Sequence, residues 1–212
     1  MLSPSGVPVP RTLEELCNPR DLALLIYDMQ VGIVRQLRNG AEVTAQVREL
    51  LDLARGCGMR VVFSRHMSLP HEWMGGFQYR MAMTWQKVDN PAEVRPFFLR
   101  GAPAFEIVPE LEPRPGEAIL DKITMSAFEG TPLDIALRDC GVTTVIIVGV
   151  AIEIGIEPTV RHAVDLGYLP VVVTDACGAG DQEAGQRALA SLRFMGDAFF
   201  TTVDELCPIL GR

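Results

Sequence analysis

Thr144-Val145-Ile146-Ile147-Val148-Gly149-Val150-Ala151-Ile152-Glu153-Ile154-Gly155-Ile156-Glu157-Pro158-Thr159 passes from an unbroken apolar run into an amphipathic stretch. A short run with no polar alternation suits a strand buried on both faces, and the continuation, with Pro158 near its start, suits a helix. A sharp strand-to-helix turn presents its tip to a ligand, and the free N–H groups of a helix start can hold an anion or a developing oxyanion. At this tip, where acyl-transfer chemistry mounts its nucleophile, the chain carries Gly155.

Working outward, similar apolar runs recur at 22–27, 60–64, 118–120, 170–174 and 198–201. Helical patterns fall between several of them, at 41–57, 131–140, 156–166 and 182–195. Gly58, Gly141 and Gly167 follow these patterns where a C-cap glycine belongs. Alternating strand and helix predicts an α/β fold with a parallel sheet. The 212 residues, 48% hydrophobic, show no linker, so we expect a single domain over 1–212 with residues 1–20 as an N-terminal extension. Residues 66–116 read as a long irregular section holding Trp73, Trp85 and several prolines, and a loop of that length suggests a cover over a site.

A net charge of −8 argues against a nucleic-acid partner. The prolines among residues 1–21 leave no apolar stretch for a signal peptide or membrane span, which makes a cytoplasmic location the expectation. Cys17, Cys57, Cys140, Cys177 and Cys207 are odd in number and scattered, unlike a disulfide framework or a CxxC metal site.

In an open parallel sheet the ligand site lies beyond the carboxyl ends of the strands, near the reversal of strand order. Asp28 follows the first apolar run, Lys122 the third and the Gly149 to Gly155 turn the fourth, while Asp175 ends the fifth. A strand-end Asp can simply cap a helix, and a strand-end Lys can be an ordinary surface residue. Together, a carboxyl and an ammonium make an acid/base pair with coupled ionisation.

The order and spacing of these segments resemble the isochorismatase-like hydrolases, often called the cysteine hydrolases. The resemblance rests on Asp28-Met29-Gln30, Lys122 with Ser126-Ala127-Phe128 and Thr131-Pro132-Leu133, Gly149-Val150-Ala151 with 157–163, and Asp175-Ala176. It implies a three-layer α/β/α, Rossmann-like fold with a six-stranded parallel sheet, and frequent dimers or tetramers. It also implies an Asp-Lys-Cys triad acting on amides, with a cis peptide at Val150-Ala151 that shapes an oxyanion hole. The family cysteine, however, matches Gly155, so thiolate attack from that position is impossible. Isochorismatases proper, which hydrolyse a vinyl ether, also carry glycine there, and their acid matches Asp28. Two chemistries stay open: protonation of a vinyl ether by Asp28, toward which the glycine leans, or amide hydrolysis by water that Asp28 activates in space left at Gly155. A non-catalytic binding or assembly module is the alternative from another class.

Further candidates surround this core. Ala151 and Ile154 lie on the turn and are candidate substrate contacts. Arg80 in the cover can hold a substrate carboxylate, with a surface salt bridge as the simpler role. Trp85 and Phe128 can wall an apolar pocket, and His66 can line it. His71 reads as loop-stabilising and His162 as structural. Cys177 can supply a thiol from a neighbouring strand or be a small buried residue. The Asp-x-His metal motif of the nicotinamidase members is missing, and 178–180 lacks the spacing of a phosphate loop, so neither metal nor nucleotide cofactor is expected.

Overall fold

The computed structural model describes residues 1–196 and 198–211. In chain order, α1 (Leu13–Leu16) leads to β1 (Leu22–Tyr27), and α2 (Val31–Val34) and α3 (Gly40–Gly56) precede β2 (Arg60–His66). Next come α4 (Gly76–Gln86), β3 (Ala118–Lys122), α5 (Leu133–Asp139) and β4 (Thr144–Val150). The chain continues through α6 (Glu157–Asp165), β5 (Leu169–Gly178), α7 (Gln182–Met195), β6 (Phe199–Thr201) and α8 (Val203–Leu210).

The strands form one six-stranded sheet in the order β3-β2-β1-β4-β5-β6, every pair parallel. The order steps outward one way from β1 and the other way from β4, so the reversal lies between these two strands. Their carboxyl ends therefore open the crevice where a ligand binds. All six residues of β1 and all seven of β4 are buried, because helices cover both faces. Alternation along β1 splits its side chains: Leu22, Leu24 and Ile26 enter a core with Val47, Leu50 and Leu206, while Ala23, Leu25 and Tyr27 enter another with Leu133, Val160 and Leu192. The fold is the three-layer arrangement with a six-stranded parallel sheet that the resemblance implies.

Three local features depart from or add to the sequence reading. Residues 66–116 are not irregular throughout, since they hold α4 and 3-10 turns at His71–Trp73, Pro91–Glu93 and Pro109–Leu111. None of α4's residues is buried, so it carries no core stripe to read. Second, α8 begins with a capping box in which Thr202 accepts from the Glu205 N–H and Glu205 accepts from that of Thr202. Third, β5 does not end at Asp175 but runs to Gly178 after a register shift, and Asp175 caps α8 by accepting from the Val203 N–H at 3.0 Å.

Candidate active site

The end of β1 delivers Tyr27 and Asp28 to the crevice. Asp28 sits at φ 47°, in the left-handed region that disfavours a side chain by about 1–2 kcal/mol, so the local structure holds it there against preference. Beside it Gly149 has φ 117°, and a Cβ there would lie 2.1 Å from the Tyr27 carbonyl oxygen. Only glycine lets β4 approach β1 this closely. A cis peptide joins Val150 to Ala151, and a single π-helical turn, Ile152–Ile156, then feeds α6.

That turn changes the expected oxyanion donors. The N–H groups of Ile154, Gly155 and Ile156 converge on the Ala151 carbonyl at 3.3, 3.0 and 3.1 Å, so they are engaged within the turn. Thr159 locks it further, donating to the Gly155 carbonyl at 2.6 Å and accepting from the Ala127 N–H at 3.1 Å.

Asp28 and Lys122 meet as anticipated. Lys122 Nζ lies 2.7 Å from Asp28 Oδ2, with the side chains only 1% and 6% exposed. The ammonium also donates to Tyr27 Oη at 2.8 Å and to the Thr124 carbonyl at 3.2 Å. Three N–H donors thus meet three acceptors, the full complement of an ammonium. Burial pulls Lys122 below its ordinary pKa, and the Asp28 carboxylate opposes that pull. The other carboxylate oxygen, Oδ1, accepts from Ser64 Oγ at 2.6 Å. Tyr27 Oη in turn donates to the Met125 carbonyl. Burial, seconded by the nearby Asp28 charge, raises the Tyr27 pKa well above its ordinary value, so the phenol keeps its proton.

Gly155 is not an open corner. A Cβ at this position would lie 2.0 Å from Tyr27 Oη and 2.2 Å from its Cζ, so the phenol end fills the volume of the missing side chain. The expected room for water or substrate at Gly155 is therefore taken.

In front of the pair lies an open cleft of about 1120 Å³, lined by Tyr27, Asp28, His66, Trp85, Ala151 and Ile154 among others. Two candidates fall elsewhere. Phe128 is buried, stacking on Tyr168 with ring centroids 5.5 Å apart in the core on the α6 side. Arg80 is exposed on α4 and lines no part of this cleft, whereas Arg95 does. Sequence reasoning missed Ser64, Tyr27 and Arg95. It also left Gln30 unexplained: fully buried, its Nε2 donates to the carbonyls of His66 and Phe105, and its Oε1 accepts from the His66 N–H. Gln30 so ties the cover to the end of β2.

The other polar candidates resolve into supporting roles. His71 Nδ1 lies 3.1 Å from Tyr79 Oη at the exposed edge of the cleft, and His162 Nδ1 lies 2.9 Å from Ser126 Oγ within the scaffold. Cys177 is buried, its Sγ 3.7 Å from the Ile147 carbonyl, and burial pushes its thiol up to about 12. A thiol so held supplies no thiolate at neutral pH. Among the described residues no cluster of three His, Cys, Asp or Glu is arranged to hold a metal.

His66 packs edge-on to Trp85 and Phe98 at 5.9 and 6.0 Å. Burial brings its pKa down to about 4, with Lys122 adding to that effect and Asp28 opposing it, so it lines the cleft as a neutral imidazole. Between about pH 6.5 and 4 the unfolded chain binds a proton that the folded chain refuses, so stability falls as the pH falls through this window. The loss is at most about 1.4 kcal/mol per pH unit. We expect urea midpoints of the wild type to drop more steeply from neutral to acid pH than those of His66→Gln. Parallel curves would remove His66 from the account.

Comparison with known proteins gives the family of this fold. The chain is 28% identical to the ureidoacrylate amidohydrolase RutB of Serratia proteamaculans, over 91% of this chain and 84% of that protein. It is 31% identical to the isochorismatase family protein YwoC of Bacillus subtilis, over 82% of this chain and 84% of that one. A cysteine hydrolase from Pseudomonas syringae pv. phaseolicola shares the fold with a TM-score of 0.81 at 24% identity, covering 97% of this chain and 98% of its own. The family model for the isochorismatase domain matches residues 22–205, from the first residue of β1 into α8 and across every strand that meets at the cleft, and on that span the chain belongs to the isochorismatase family of hydrolases.

Proposed function

We propose that the chain hydrolyses the C–N bond of a small ureido or amide metabolite, with Asp28 as general base on water. The carrying observation is the buried contact between Asp28 and Lys122 at the edge of the cleft. The adjacent ammonium and the Ser64 hydroxyl each bind one carboxylate oxygen and hold Asp28 in place beside the cleft. In the reaction, water loses a proton to Asp28 as its oxygen adds to the carbonyl carbon. The C–N bond then breaks, and Asp28 returns the proton to the leaving nitrogen. Lys122 keeps the carboxylate oriented, and the names of the amidohydrolase relatives support the choice of bond.

A second reading, vinyl-ether cleavage with Asp28 as acid, is favoured by the absence of a thiol at Gly155. It requires Asp28 to carry a proton beside the ammonium. Turnover by the purified protein of ureidoacrylate, N-carbamoyl amino acids, simple amides and isochorismate separates the two. Turnover of isochorismate alone would overturn the C–N reading, and turnover of none would overturn both. In the same reading the protein is cytoplasmic, acts as one domain and works as a dimer or tetramer. Trp73 and Phe77, 75% and 68% exposed, offer apolar surface for such an assembly, and sedimentation velocity reads its size. Among the described residues no helix is long and apolar enough to cross a membrane.

A further inference from the structure

Tyr27 and Gly155 are far apart in sequence yet share one volume. The residue before Asp28 sends its ring under the β4 turn, so that the hydroxyl stands 2.0 Å from where the Cβ of residue 155 would be, far inside van der Waals contact. There it touches the ammonium that also binds Asp28. The position that would hold an attacking atom on the turn is thus filled from the neighbouring strand, by a group hydrogen-bonded to Lys122.

We infer that Tyr27 is the positioning residue of this site: its hydroxyl holds the Lys122 ammonium against Asp28, and its ring closes the corner at Gly155, which leaves water as the attacking group. This rests on the hydrolytic reading above. The phenol itself is a poor nucleophile here, because its proton is directed to the Met125 carbonyl and its burial favours the neutral form. Its effect passes through Lys122. Without the hydroxyl, one N–H of a buried ammonium loses its acceptor and the ammonium holds its proton less firmly.

Tyr27→Phe keeps the ring against Gly155 and removes only the oxygen. On the best substrate we expect kcat to fall by about tenfold or more while KM stays within about threefold. The basic limb of the kcat–pH profile moves to lower pH, a change that loss of packing alone does not produce. The side-chain ammonium of Lys122 gives a second readout, independent of turnover. In ¹H–¹⁵N spectra at neutral pH its signal, protected in the wild type, broadens in Tyr27→Phe as exchange with water increases. If Asp28→Asn is inactive but Tyr27→Phe keeps the wild-type kcat and pH profile, the inference fails while the hydrolytic reading stands. If the wild type turns over no substrate, the hydrolytic reading fails, and an ammonium signal unchanged in Tyr27→Phe overturns the inference as well.

Discussion

Asp28→Asn lowers kcat by about 10³-fold, within the range that removal of a positioned acid or base produces. The amide has nearly the shape of the carboxyl group, so substrate contacts survive and KM changes little. What disappears is the proton acceptor, and with it the counter-charge of a buried ammonium. Removing one partner of a buried ion pair is expensive, about 3–5 kcal/mol, because the other is left uncompensated. Asp28→Asn is therefore expected to lose stability as well as activity, and the two losses are separable. In Asp28→Asn/Lys122→Met the stranded charge is gone, so the urea midpoint recovers toward the wild type while kcat does not. A single variant within about tenfold of wild-type kcat would sink the assignment of Asp28 as the proton-transfer group.

Why Asp28 and Lys122 were legible in the sequence while their surroundings were not follows from how each is placed. Both terminate apolar runs, and in a parallel sheet a strand's carboxyl end has a fixed destination. Ser64 also lies near a strand end, at the site's edge, but a serine in an apolar run carries no signal that it faces a carboxylate 36 positions earlier in the chain. Tyr27 was read as the last apolar residue of a strand, which it is; its second role depends on the closeness of β1 and β4, set by a φ of 117° at Gly149. Sequence shows a glycine there and not the gap it closes.

Phe128 and Arg80 were misplaced for the opposite reason. Their residue types suit a binding pocket, but the direction of a side chain after a strand or along a helix without a buried stripe cannot be read from spacing. Trp85 and Arg80 both lie on α4, yet only Trp85 reaches the cleft. In contrast, the capping box at Thr202-Val203-Asp204-Glu205 was a readable start signal for α8 that the apolar periodicity alone did not pick out.

The two residues that share one volume should also fail together and recover together. Any side chain added at 155 needs space that the phenol end already fills. With Tyr27 as observed, even Gly155→Ala places a methyl group inside the phenol, 2.0 to 2.4 Å from three of its atoms. The ring is tethered at both ends. Its main chain is pressed against Gly149, and its oxygen is held by Lys122 and Met125. Overpacking of a well-filled core costs about 1–3 kcal/mol, and this site should lie at or above the upper end. Tyr27→Val alone opens a cavity and destabilises by about 3 kcal/mol or more, as large-to-small core changes do. Combined with Gly155→Cys, the same truncation makes room for the new side chain, so the double variant is more stable than the sum of its parts by about 2 kcal/mol. Urea unfolding of the wild type, the two single variants and the double variant gives this coupling directly. Additivity within about 0.5 kcal/mol would mean that residues 27 and 155 do not compete for space, and the closed corner would have to be abandoned. Strong coupling would explain why a tyrosine precedes Asp28 in a chain whose turn carries glycine: each residue is tolerated only in the presence of the other.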